Sequence, residues 1–236
     1  MTRIPEPDSV QELAQEMQKT QERLGEKNNS LVPFIDAYRR ITKEVLERKA
    51  RGEFENPDSM QKLDLAFADR YYRPLNAYLE KGEKRRPWKT YFEYVERDNS
   101  QPVIELLLGI NAHINADLPA VLRETGYEDR GDFDRVNQAL GNAMAPILRR
   151  LASERRDFFS AATYVFRPAA WLGLRKIKSW RKDAWRNSRK EIKQQKLDEL
   201  TEENAERTVE MMHEFGPLST LKKPLSYRKL CVQPGE

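Results

Sequence analysis

The chain is short of the residues that most enzyme motifs are built from. It has one cysteine, Cys231, so neither an intramolecular disulfide nor a cysteine-based zinc knuckle can form. It has two histidines, His113 and His213, which excludes a three-histidine zinc site. Ten glycines in 236 residues are too few for an all-β fold with many tight turns. No dinucleotide-binding glycine motif, P-loop or nucleophile elbow occurs. The longest apolar segments fall far short of a membrane span. The opening MTRIPEPDSVQELAQEM lacks the apolar core of a signal peptide. These absences point to a soluble cytoplasmic protein with no membrane span and no cofactor.

What is present is charge, at 34% of residues, and a mean hydropathy of −0.84. Four Trp, nine Tyr and nine Phe nevertheless supply a core, which argues against wholesale disorder. The net charge of +4 is unevenly spread. The stretch from Arg167 to Lys196 carries a local net of +9, leaving the remainder at −5.

Periodicity predicts helices throughout. Ser9 with Glu12 reads as a capping box that opens a polar, solvated or loosely docked helix, ended by Gly25 and the Asn28-Asn29-Ser30 cluster. Phe34, Ala37, Tyr38, Ile41 and Val45 carry the next helix to Gly52. Asn56-Pro57 opens a third, with Leu63, Phe67, Tyr71 and Leu75 as its stripe and Pro74 inside it. A short aromatic helix follows Pro87, another spans about 132–152, and basic and terminal helices cover about 168–196 and 197–215. The predicted fold is all-α, a single compact bundle of about eight helices around a buried, proline-kinked central helix. Residues 1–29 form an N-terminal polar helix, 30–216 the core domain and 217–236 a C-terminal extension.

That central helix is VIELLLGINAHINADLPAVL, residues 103–122. Its apolar lead-in predicts burial on all sides, and polar side chains there cost free energy unless paired. Helical spacing places Asn111 above Asn115 and His113 above Asp117, on roughly opposite sides. Pro119 cannot donate to the carbonyl of Asn115, so that acceptor needs another partner. A histidine oriented by a carboxylate suits general acid–base chemistry near neutral pH. The alternatives are a buried network that fixes helix packing, and a metal site in which His113 and Asp117 share an ion, completed by His213 or a carboxylate such as Asp64. Asp64 itself lies one position off the apolar stripe of its helix, as a partly buried carboxylate or a paired rim residue.

The blocks FIDAYRRITKEV, GEFENPDSMQKLDLAFADRYYRPLNAYLEKG, PWKTYFEYV, PVIELLLGINAHINADLPAVL and KDAWRNS resemble the successive motifs of a bacterial family known only as a domain of unknown function. The resemblance covers roughly residues 30 to 200 and implies an all-α fold without assigning a reaction. It also implies that Asp64, Arg70, Tyr71, His113, Asn115, Asp117 and Trp185 belong to motif blocks.

The functional expectation is a small-molecule enzyme working by proton transfer, such as cyclisation, isomerisation, elimination or hydrolysis, on a partly apolar substrate. Its pocket is expected beside the central helix, between it and the Asp64–Tyr71 helix. His113 and Asp117 are the catalytic candidates. Asn111, Asn115, Asp64, Arg70, Tyr71, Trp88, Tyr91, Arg181 and Trp185 are the substrate-binding candidates. Arg181 or Arg167 can take an acidic group of a substrate. Two other readings compete. One is a metal-dependent hydrolase using His113 and Asp117. The other is a helical binding module whose basic 167–196 face meets nucleic acid or an anionic surface. A simpler account of that stretch is a core-facing stripe through Ile177, Lys178, Arg181, Ala184 and Trp185 with a solvated basic outer face.

Overall fold

The helices begin and end where local chemistry allows. A computed structural model describes residues 7–27, 29–98, 100–153 and 175–214. Among them every regular element is a helix. In chain order these are α1 (Val10–Lys27), a 3-10 turn (Asn29–Leu31), α2 (Val32–Ala50), α3 (Pro57–Lys81), α4 (Lys89–Val95) and α5 (Pro102–Ala112). A π-helical turn (His113–Asp117) leads into α6 (Leu118–Glu124), followed by α7 (Arg130–Ser153), α8 (175–187) and α9 (Gln194–Glu214). The proposed extension over 217–236, Cys231, Arg167 and Trp171 lie outside the described residues, as does the side chain of His213.

Asn56 caps α3 by accepting from the backbone N–H of Ser59 at 3.3 Å, and Pro57 takes the first turn, where a missing N–H costs nothing. Gly82 ends α3 at φ 67, a left-handed position that glycine reaches without strain. Pro74 sits inside α3 without ending it. Asp132, wholly buried, accepts from the backbone N–H groups of Glu55 at 3.0 Å and Asn56 at 2.8 Å, and so ties the approach to α3 onto α7.

α1 departs from expectation. It is firmly docked, with Val10, Leu13, Met17 and Leu24 buried and its main contact on α2. It also runs through Gly25 to Lys27. The few apolar residues keep a helical period among many charges, so one stripe suffices to bury the helix although its average is polar. A glycine inside a helix costs only about 1 kcal/mol, which that burial outweighs.

The centre of the bundle is α5 with the π turn, enclosed by α2, α4 and α9. Leu106, Leu108, Ile110 and Ala112 are all buried. Gly109 is there because α2 comes too close for a side chain. A Cβ at that position would lie 2.5 Å from Cδ2 of Phe34. Just before Pro119 the helix passes through the π turn, whose closing bond runs from the N–H of Leu118 to the carbonyl of His113. One carbonyl of that turn, of Ala116, accepts from the side chain of Gln194 on the α9 side at 3.4 Å. Such single-turn π segments add a residue to a helix and re-aim the side chains they carry.

Candidate functional site

Both polar pairs of the central helix close. Asn115 Nδ2 donates to Asn111 Oδ1 at 2.9 Å, and Asn111 Nδ2 donates to the carbonyl of Thr201 in α9 at 2.9 Å. This pair therefore points away from α3 and joins α5 to α9. On the other side His113 Nδ1 meets Asp117 Oδ2 at 3.1 Å, and the indole N–H of Trp88 donates to the same oxygen at 3.1 Å.

An aromatic box surrounds this second pair. Phe67 stacks flat on the His113 imidazole, with centroids 3.5 Å apart and an interplanar angle of 8°. Tyr38, Phe34, Trp88 and Tyr71 present edges or tilted faces at 4.8 to 6.4 Å. Burial holds His113 neutral, well below the usual histidine range, and the distant charge of Arg181 adds to the effect. Burial also pushes the Asp117 carboxyl up, against the hydrogen bond from Trp88 that favours its charge. His113 Nε2 is buried and has no hydrogen-bond partner among the described residues. The box thus holds one imidazole in one orientation, with its second nitrogen sealed from solvent.

A cavity of about 40 Å³ lies on the other side of Phe67 and Tyr38. Its walls come from α1, α2, α3, α6, α7 and α8, and most are apolar, including Leu13, Val45, Leu63, Leu118 and Val136. Besides the Tyr38 phenol, which burial holds neutral, two ionisable groups line it, Asp64 of α3 and Arg181 of α8. Among the described residues no cation lies within 4.0 Å of Asp64 and no carboxylate within 4.0 Å of Arg181. Asp64 keeps partial exposure. Burial pushes its carboxyl up to about 7, against the pull of Arg181 and Lys49. Arg181 is 5% exposed, and burial lowers it to about 10, so it stays charged at neutral pH. Its Nε donates to Asn137 Oδ1, and its guanidinium lies over the Phe133 ring at 4.7 Å.

The remaining candidates disperse. Tyr71 is fully buried in the aromatic box, its hydroxyl without a partner among the described residues, and Tyr91 packs on Trp88 at 5.5 Å. Arg70 pairs with Glu124 near the surface. Trp185 turns inward against Phe133 at 4.7 Å, beneath the guanidinium of Arg189 at 3.5 Å. Its ring is therefore not free to stack on a base. Along α8 Ile177, Arg181, Ala184 and Trp185 face inward, whereas Lys178 is exposed. Tyr38 and Phe67, which their spacing marked only as core, form the wall between the imidazole and the cavity. No group of three or more His, Cys, Asp or Glu placed to hold a metal occurs among the described residues, and no described helix is long and apolar enough to cross a membrane.

Fold and site together define, among the described residues, an all-α bundle with a buried polar and aromatic centre flanked by a small cavity lined by a carboxyl and a guanidinium that form no ion pair. The chain matches the family of unknown function DUF5995 over residues 10–215 and belongs to that family. No curated protein and no solved structure matches it.

Proposed function

We propose that the protein is a small-molecule enzyme that works by proton transfer in the cavity between α2, α3, α7 and α8, with Asp64 moving the proton. The observation that carries this reading is the unpaired Asp64 carboxyl, pushed up to about 7 in a mostly apolar wall. A carboxyl near neutrality is equally ready to take and to give a proton, the condition for general acid–base catalysis at cellular pH. Arg181 supplies a fixed positive charge in the same cavity, suited to an anionic group or to negative charge that develops during reaction. Tyr38, Leu63, Phe67 and Val136 keep bulk water from the reacting atoms. Cyclisation, isomerisation, elimination and hydrolysis all meet these requirements.

In this reading His113, Asp117 and Trp88 are positioning residues. They hold Phe67 and Tyr38 in place from behind, and the closed Nε2 of His113 favours support over direct contact with a ligand. The test is a comparison of wild-type protein and Asp64→Asn, each incubated with a complex extract of small metabolites and followed by mass spectrometry. The expected result is a compound consumed by the wild type and spared by the variant. The idea fails if the two proteins leave identical profiles or if turnover survives the substitution.

A further inference from the structure

Arg181 combines deep burial with the lack of a counter-ion among the described residues. Its Nε is fixed by Asn137 and its face by Phe133, and neither contact neutralises the charge. The carboxyls that bear on it, Asp64 and Asp134, act from beyond ion-pair distance, and burial holds the nearby phenols of Tyr38 and Tyr127 neutral. An unpaired charge held this way costs stability unless something binds it. The guanidinium is nonetheless locked in a defined orientation on the cavity wall, the arrangement that presents a fork of N–H donors to a carboxylate.

We propose that Arg181 anchors a binding site for small monocarboxylates with a short apolar tail. The carboxylate rests on the guanidinium, and the tail lies against Leu63, Phe67, Leu118 and Val136. The assignment rests on the cavity being the ligand site of the proposed enzyme. Size supports the choice. On the same measure one water takes about 10–15 Å³, so a cavity of about 40 Å³ has room for about three to four water-sized groups, a carboxylate head with the first carbons of a short tail. A phosphate would bring more charge and hydration than one guanidinium in an apolar wall can match. An ammonium group would face the charge of Arg181.

The groups that bear on Asp64 are Arg181 from α8, Lys49 and Tyr38 from α2, and Tyr127 from the segment between α6 and α7. Protonated Asp64 can donate to a bound carboxylate, whereas ionised Asp64 repels it. Binding therefore takes up a proton and weakens as pH rises through neutrality.

The experiment is an NMR titration of the full chain with isobutyrate, propionate, propylamine and inorganic phosphate, at about pH 6 and about pH 8, on either side of Asp64. Isobutyrate and propionate are expected to bind with Kd of roughly millimolar order, as ligands of so few atoms do, and to bind more weakly at the higher pH. Arg181→Met, which keeps a similar volume, is expected to weaken binding by about tenfold or more and to raise Tm. Asp64→Asn keeps binding but loses its pH dependence. Equal binding by Arg181→Met, preference for propylamine or phosphate, no binding up to about 100 mM, far above that range, or a marked fall in Tm would each overturn the assignment. Should carboxylates fail while Asp64-dependent turnover is found, the ligand class falls and the enzyme reading stands.

Discussion

Asp64 makes a stability prediction that needs no substrate. In the unfolded chain its carboxyl titrates near the ordinary 3.8, and in the fold it sits at about 7. Between those values the native state holds a proton that the unfolded state has lost. Stability therefore falls as pH rises through this window, by about 1.4 kcal/mol per pH unit, and is flat above it. The full interval corresponds to about 4 kcal/mol, and the partial exposure of Asp64 reduces that to roughly 2–4 kcal/mol. Asparagine keeps the shape and does not titrate. Asp64→Asn should accordingly match the wild type near the low end of the window and exceed it by that margin above neutrality. The wild type alone conceals the effect, because His113, held neutral by burial, loses stability in the opposite direction as pH falls below its ordinary 6.5. The assay is urea unfolding of both proteins across the window, read as the difference between them. A difference that does not change with pH would refute the reasoning.

Three other substitutions probe the scaffold. Gly109→Ala would drive a Cβ to within 2.5 Å of the buried Phe34 ring and should destabilise by about 1–3 kcal/mol in denaturant unfolding; a neutral result would mean that α2 yields there at no cost. His113→Ala removes the ring stacked on Phe67 and a partner of Asp117, with an expected loss of about 3 kcal/mol, and a loss below about 1 kcal/mol would contradict the positioning role. Asp132→Ala orphans the N–H groups of Glu55 and Asn56 and should cost about 2–4 kcal/mol, with hydrogen exchange rising first at the start of α3.

Much of the fold was legible because it is written in local signals. Asn56, Pro57 and Gly82 mark the ends of α3, and alternating polar residues at 111, 113, 115 and 117 predict two side-chain pairs that face apart. What stayed hidden is non-local. Leu13, Met17 and Leu24 look sparse until α2 is beside them. Nothing in the order of residues distinguishes a π turn from an α turn at His113, because pairs four apart meet in both. Asp64 and Arg181 are far apart in sequence and share a wall only once six helices have assembled. Each could be singled out as a chemically capable residue. Their lack of mutual pairing, which makes the cavity a candidate site, is a property of the packed bundle.

The central claim, that Asp64 is a proton-transfer group working near neutral pH, is tested most directly by following the carbon-13 shift of its side-chain carboxyl with pH, assigned by comparison with Asp64→Asn. The account predicts a midpoint at about 7. A midpoint near the ordinary 3.8 would contradict it.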